Sequence, residues 1–197
     1  ALAHLATDLA ATAPALPAET VLTIVRESYT ALAGAARVTT HLVPLTERFA
    51  RQRLADLARD RDAAVPQVLF VCVANAGRSQ LAAALVHERS GGRVIARSAG
   101  SDPAADVHPT VRPLLAAIDA GSAASAFPKP LTDDAVRAAD VDFTMGCGDV
   151  CPVLPGVRYE DWSVGDPALA SPEGVAAIRD DIARRVDDLL ADPLPES

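Results

Sequence analysis

At 197 residues the chain has room for one ordinary domain and a smaller one beside it. Half of the residues are apolar, which calls for a well-buried core rather than disorder. A formal charge of −8 argues against general binding to nucleic acid or to an anionic membrane, and no stretch is apolar for long enough to span a bilayer. The Ala- and Leu-rich start lacks a basic segment and contains Asp8, so it does not read as a secretory signal. Three cysteines, an odd number, disfavour a static disulfide framework and fit thiol chemistry in the cytoplasm. Lysine is nearly absent (Lys129 alone), a compositional bias without functional content of its own.

Residues 1–64 read as a small three-helix bundle. Leu2, Leu5 and Leu9 are periodic in a first short helix. Pro17-Ala18-Glu19-Thr20 then precedes an amphipathic stripe of Val21, Leu22, Val25, Tyr29 and Leu32, with Gly34 near its end. A third helix spans about Leu42 to Asp60, with Pro44 in its first turn and Leu45, Phe49, Leu54 and Leu57 roughly on one face. Through Val65 there are seven Arg against seven Asp plus Glu, so the bundle is neutral. A DNA-reading helix-turn-helix normally shows a basic face, so a docking module is the better reading, with a homodimer through the bundle as one such use.

From residue 66 to 197 strands and helices alternate. Val68 to Val73 is a continuous apolar run of strand length, and a helix starts near Ser79 with Leu81, Leu85 and Val86 on one stripe. Arg93 to Ser101 reads as a short strand running into a turn, and Pro109 to Ala120 as a helix with Pro109 near its first position. Leu131 to Ala138 is a further helix, Val141 to Met145 and about Val157 to Tyr159 are strands, and Pro172 to Leu190 is a closing amphipathic helix. The expected fold is α/β: a four-stranded parallel sheet with helices on both faces, behind the three-helix bundle. In such sheets ligands bind beyond the C-terminal ends of the strands.

One such end carries Cys72-Val73-Ala74-Asn75-Ala76-Gly77-Arg78-Ser79, a Cys-x5-Arg-Ser loop between strand and helix. A loop wound tightly at a helix N-terminus turns successive backbone N–H groups inward and forms a nest for a tetrahedral oxyanion. Gly77 allows backbone geometry that a bulkier residue resists. Arg78 can fold over the bound anion with a planar fork of donors. Cys72 lies at the bottom of the bowl, where these dipoles and the Arg78 charge favour the nucleophilic thiolate, and Ser79 can donate to its sulfur. The bland alternative is a buried, inert cysteine followed by a chance Gly-Arg. The run from Cys72 to Gln80 resembles the oxyanion loop of the low-molecular-weight tyrosine phosphatase superfamily, which includes the thioredoxin-coupled arsenate reductases. The Ser98-Ala99-Gly100-Ser101 tail is similar to that superfamily as well. Many relatives have a polar residue at Ala74, so side-chain hydrogen bonding in this loop falls to Asn75. Some arsenate reductases of this kind carry a similar helical extension.

Cys147 and Cys151 follow directly after a strand, in Gly146-Cys147-Gly148-Asp149-Val150-Cys151-Pro152, on the same sheet edge as Cys72. At i, i+4 in a regular helix their Cβ atoms would be about 5–6 Å apart, whereas a disulfide needs about 3.5–4.5 Å. Closing the pair therefore requires rearrangement, which Gly146 and Gly148 make easier. The pair could instead be half a zinc site, a static disulfide or buried filler; His4, His41, His87 and His108 show no metal-ligand spacing, and no metal or cofactor is expected. The segment resembles the redox-active loop of three-cysteine arsenate reductases, with Cys147 and Cys151 at its two resolving positions. The superfamily also places a general-acid Asp before Pro on a loop after the last strand; Asp166-Pro167 matches it, with Asp161 and Asp149 as substitutes.

Two enzymatic readings follow from the resemblance. In the first, arsenate sits in the loop of Val73 to Ser79, Cys72 attacks arsenic, Asp166 protonates the leaving hydroxyl, and Cys147 and Cys151 carry the oxidation outward to thioredoxin. In the second, the same loop and acid hydrolyse a phosphomonoester. Phosphotyrosine enzymes of this superfamily usually have aromatic residues after the Asp-Pro, but Ala168-Leu169-Ala170 stands here. A non-enzymatic anion sensor would leave the acid and the paired thiols without a role.

Overall fold

The computed structural model describes residues 1–35, 41–60, 65–146 and 153–191. The chain divides into two compact units, Ala1–Asp60 and Arg61–Ser197. The first contains α1 (Leu2–Thr12), α2 (Ala18–Ala35) and α3 (Leu42–Leu57), as the periodicity predicts. Their shared core is Leu5, Leu9, Val21, Ile24, Val25, Ala50 and Leu54. Ser28 and Thr46 are fully buried as well, and Thr46 returns its hydroxyl to Leu42 O of its own helix. Arg53, nearly buried, pairs with Glu27 across the bundle at 2.9 Å and lies over the Phe49 ring. Leu57, expected on the apolar face, is 41% exposed at the last position of α3.

The second unit is built on β1 (Gln67–Cys72), β2 (Ile95–Gly100), β3 (Val141–Met145) and β4 (Arg158–Asp161), all parallel, in the order β2-β1-β3-β4. Every residue of β1 is buried because the central strand is covered on both faces. On one face Val68, Phe70, Cys72, Val141, Phe143 and Met145 pack with α4 (Arg78–Ser90) and α8 (Pro172–Ala191). Phe70, Phe143 and Trp162 form an aromatic group there, with ring centroids 4.7–5.4 Å apart. On the other face Leu69, Val71 and Ala99 meet Ala135, Val136 and Ala139 of and beside α7 (Asp133–Ala138).

The helix expected over Pro109–Ala120 is two helices. α5 runs Arg112–Ile118 with Pro113 in its first turn, and α6 runs Ala120–Ser125. Asp119 separates them in an extended conformation, and its carboxylate accepts from the N–H groups of Gly121 and Ser122 at 3.2 and 2.6 Å. An Asp prefers this capping role to a helix interior, which is why one apparent periodicity breaks in two. The last strand also begins and ends later than expected, at Arg158 and Asp161. No helix among the described residues is long and apolar enough to cross a membrane.

Asp142 is the exception in the sheet. It sits mid-strand in β3, between Leu69 and Tyr159 in register, and is 2% exposed. Its Oδ1 is buried with no hydrogen-bond partner, and burial pushes the carboxyl up to about 7.

Candidate active site

The geometry starts at the C-terminal ends of β1, β3 and β4, where the sheet hands the chain to three loops. After β1 the chain turns through Val73–Gly77 into α4, for which Gly77 is the N-cap and Arg78 the first residue. The loop's carbonyls face away from the bowl. Cys72 O accepts from Ser101 N, Val73 O from Asp102 N, Ala74 O from Ala104 N and Ala76 O from His108 N, at 2.9–3.2 Å. Asn75 O accepts Gln80 Nε2 at 3.0 Å, and Gly77 O accepts Leu81 N at 3.0 Å within α4's first turn. The N–H groups of Ala74 to Arg78 make no bond to any described residue, so they are left for a ligand in the bowl.

The left-handed residue of the loop is Asn75, at φ 47, and not Gly77, which has φ −151 and ψ −90. Asn is among the few side chains that tolerate this region. Gly77 is small for a different reason: a Cβ there would meet Pro167 Cγ at 3.1 Å. Gly100 is needed by close approach, since a Cβ would fall 2.6 Å from Val73 O.

Asn75 is fully buried, and its amide fixes the surroundings of Cys72. Its Oδ1 accepts the backbone N–H of Lys129 at 2.9 Å and Gln80 Nε2 at 3.1 Å. A backbone N–H can only donate, so the amide's orientation is settled and Nδ2 faces Ser79 Oγ, 2.8 Å away. Ser79 Oγ, accepting from Asn75, has its own proton to offer to Cys72 Sγ at 3.0 Å. Cys72 is 2% exposed. Ser79 thus occupies the second helical position, with its hydroxyl on the sulfur rather than on the helix end.

Arg78 reaches across the bowl's mouth. Its Nη1 donates to Val164 O and its Nη2 to Asp166 Oδ2, both at 3.4 Å. Gly146, at φ +72 after β3, lies beneath the guanidinium; a Cβ there would come within 2.8 Å of Nη1. The loop bearing Asp166 is held at several points: Trp162 N donates to Thr144 O, Arg185 Nη2 to Ser163 O, and Gly165 packs on Ile178. Asp166 caps the 3-10 turn Pro167–Leu169, its Oδ1 accepting Ala168 N at 2.9 Å. Asp161 is instead tied to Thr144 Oγ1 at 2.6 Å, at the end of β4.

Cys72, Val73, Ala74, Asn75, Ala76, Gly77, Arg78, Ser79 and Asp166 are therefore in one place, while Cys147, Cys151 and Asp149 lie outside the described residues. Sequence reasoning passed over Gln80, Lys129 and Trp162. Lys129 is nearly buried, with its Nζ 3.4 Å from Ser98 Oγ and 4.9 Å from the Phe127 ring centroid. A lone lysine in an Arg-rich chain was the available signal, but it fixes no position. Among the described residues no cluster of three or more His, Cys, Asp or Glu could hold a metal ion.

Residues 2–58 match the family described as Protein-tyrosine-phosphatase-like, N-terminal domain. Over its length the chain is similar to the thioredoxin-dependent arsenate reductase of Corynebacterium glutamicum, at 43% identity, covering 96% of this chain and 94% of that one, with a TM-score of 0.83. Over 132 residues it is 33% identical to a putative arsenate reductase of Halobacterium salinarum, covering 64% of this chain and 92% of that protein. A glutaredoxin arsenate reductase of Synechocystis is 29% identical over 130 residues, covering 64% of this chain and 96% of its own. Residues 67–196 match the low molecular weight phosphotyrosine protein phosphatase family, and the chain belongs to that family.

Proposed function

We propose that this enzyme reduces arsenate to arsenite, with Cys72 as nucleophile and thioredoxin as the final reductant. The observation that carries the reading is the buried Cys72 sulfur, 3.0 Å from a Ser79 hydroxyl whose proton Asn75 directs to it, beneath a loop whose carbonyls all face away. The similarity to named arsenate reductases, which in one case includes the N-terminal helices, supports this chemistry over others available to the family.

Arsenate, a tetrahedral anion, binds to the loop N–H groups and the Arg78 fork. The Cys72 thiolate attacks arsenic, and one hydroxyl leaves as water with a proton from Asp166. Cys147 then attacks the Cys72 sulfur. The S–As electron pair stays on arsenic, so As(V) becomes As(III), arsenite departs and Cys72–Cys147 is left oxidised. Attack by Cys151 on Cys147 releases Cys72 and moves the disulfide to Cys147–Cys151, which a thioredoxin dithiol reduces by exchange. For the last two thiols the support is their place after β3 and their match to the three-cysteine pattern, since they lie outside the described residues. The use is arsenic detoxification.

The second reading is phosphomonoester hydrolysis, favoured by the fact that the loop and the acid suffice for it. Against an aryl phosphate stands the rim after Asp166, where Ala168 and a 89% exposed Leu169 replace ring-stacking aromatics. Steady-state arsenate turnover with thioredoxin and its reductase, compared with small thiols and with p-nitrophenyl phosphate hydrolysis, separates the two. Arsenite formation driven by thioredoxin is the expected result; hydrolysis without arsenate reduction would replace this reading with the second.

A further inference from the structure

Arg78 and Asp166 have duties that conflict. An acid must carry a proton, yet Asp166 Oδ2 accepts from Arg78 Nη2, and Oδ1 accepts from Ala168 N. Both oxygens thus face donors, as suits a carboxylate and not a carboxylic acid. The guanidinium in turn is held between Gly146 on one side and the Val164 and Asp166 oxygens on the other, so its donors are spent on the protein.

We propose that oxyanion binding itself loads the proton onto Asp166, because the anion takes Arg78 away from it. This rests on the reading of the Cys72 loop as an oxyanion site with Asp166 as its acid. A tetrahedral anion on the loop N–H groups draws Arg78 into the bowl, and Oδ2 is left facing an anion oxygen instead of an N–H. Two negative oxygens do not share that contact, so a proton from solvent enters between them. It arrives on Oδ2, since Oδ1 keeps the Ala168 N–H, and Oδ2 is the atom that faced the guanidinium. Arg78 remains protonated throughout, and the net change is one anion and one proton bound. The acid is therefore armed only when substrate is present.

Other charged or titratable groups lie around this loop, among them Asp102 and His108, whose backbone N–H groups donate to Val73 O and Ala76 O and of which the His108 ring bonds Thr110 Oγ1. Asp161 is bonded to Thr144, Arg185 to Ser163 O and Asp181, Arg184 to Asp181, and Arg112 to Asp106 beside α5. Among the described residues Arg78 is the cation that Asp166 meets.

Sulfate is the probe, as a tetrahedral dianion without a titratable proton at working pH. The full chain bearing Cys72→Ser is used, so that the thiol contributes no proton. Calorimetric titration in buffers of different ionisation heat, between pH 6 and 8, should show uptake approaching one proton per sulfate. Sulfate affinity should fall toward roughly tenfold per pH unit as pH rises, the slope set by linkage. Adding Asp166→Asn should abolish the uptake and flatten the pH dependence. At pH 8 it should also tighten sulfate by roughly twofold to fivefold, since Arg78 no longer has a competing partner. Buffer-independent heats, or the same uptake with Asp166→Asn, would overturn the proposal. Should the double variant fail to fold, the pH dependence in Cys72→Ser alone decides, and a flat affinity overturns it. No redox step enters this measurement, so its failure and a failure of arsenate turnover are separate results.

Discussion

Replacing Asn75 separates the two tasks that its amide performs. Asn75→Ala deletes three buried hydrogen bonds: Nδ2 to Ser79, and those accepted by Oδ1 from Lys129 N and Gln80 Nε2. Gln80 keeps the Asn75 and Phe127 carbonyls, while the buried Lys129 N–H loses its Asn75 acceptor. An unsatisfied buried donor costs about 1–3 kcal/mol. Holding Ala at φ 47 adds about 1 kcal/mol over Asn. Asn75→Ala should therefore destabilise the second unit by about 2–4 kcal/mol, read by urea unfolding. Asn75→Asp is the sharper case. It keeps the acceptor for Lys129 and Gln80 and tolerates the same backbone region, but it turns the Ser79 proton toward the new carboxylate and away from Cys72. Burying a carboxylate there costs stability too, and in protein that remains folded kcat/KM for arsenate should fall roughly 10- to 100-fold, the worth of one charge-assisted hydrogen bond of about 1.5–3 kcal/mol. Full activity in a folded Asn75→Asp protein would refute the Asn75–Ser79–Cys72 ordering.

Other outcomes follow from the same structure. Asp142, pushed up to about 7 by burial, holds its proton in the folded state and loses it at about 3.8 when unfolded. Its contribution to stability is thus greatest below pH 4, falls as pH rises to about 7, and is level above that. The span corresponds to at most about 4 kcal/mol, and Asp142→Asn should remove this part of the slope in denaturant unfolding between pH 4 and 8; an unchanged slope would contradict the buried, unpaired carboxyl. Gly146→Ala puts a methyl within 2.8 Å of Arg78 Nη1 at a positive φ, so KM for arsenate should rise roughly tenfold, with about 1–2 kcal/mol of stability lost. A chain beginning near Ala64 should keep the Cys72 chemistry and differ in oligomeric mass by light scattering if the helical unit serves as a dimer module, and sequence-specific DNA binding by residues 1–64 would overturn that use.

Much of the architecture is legible in the sequence because apolar periodicity and burial coincide. The run Val68–Cys72 is buried along its whole length, and the stripes of α1, α2 and α8 supply core residues such as Leu9, Val25 and Ile182. Where the pattern misleads, a local polar role wins. Asp119 caps a helix inside an apparently continuous one, and Leu57 lies at a helix end where one face is no longer covered. The loop motif locates the bowl but not its strained residue, since Cys-x5-Arg does not say whether Gly77 or Asn75 takes the positive φ. Of the supports distant in sequence, only the nearness of Asp166 to the Cys72 loop was implied, by the family resemblance, and no individual contact was. Lys129 N–H reaches Asn75 across 54 positions, and Arg78 meets Asp166 across 88, contacts that the parallel crossovers create. Asp142 reads as one polar residue in a strand, and its cost appears only once both sheet faces are covered.

Single turnover of the Cys151→Ser protein decides the order in which the thiols act, from Cys72 outward. With Cys72 and Cys147 intact, mixing with excess arsenate should release one equivalent of arsenite and then stall. Peptide mapping of the stalled protein should recover a Cys72–Cys147 disulfide, while Cys147→Ser releases less than one equivalent. Repeated turnover of Cys151→Ser with thioredoxin would contradict the three-cysteine relay.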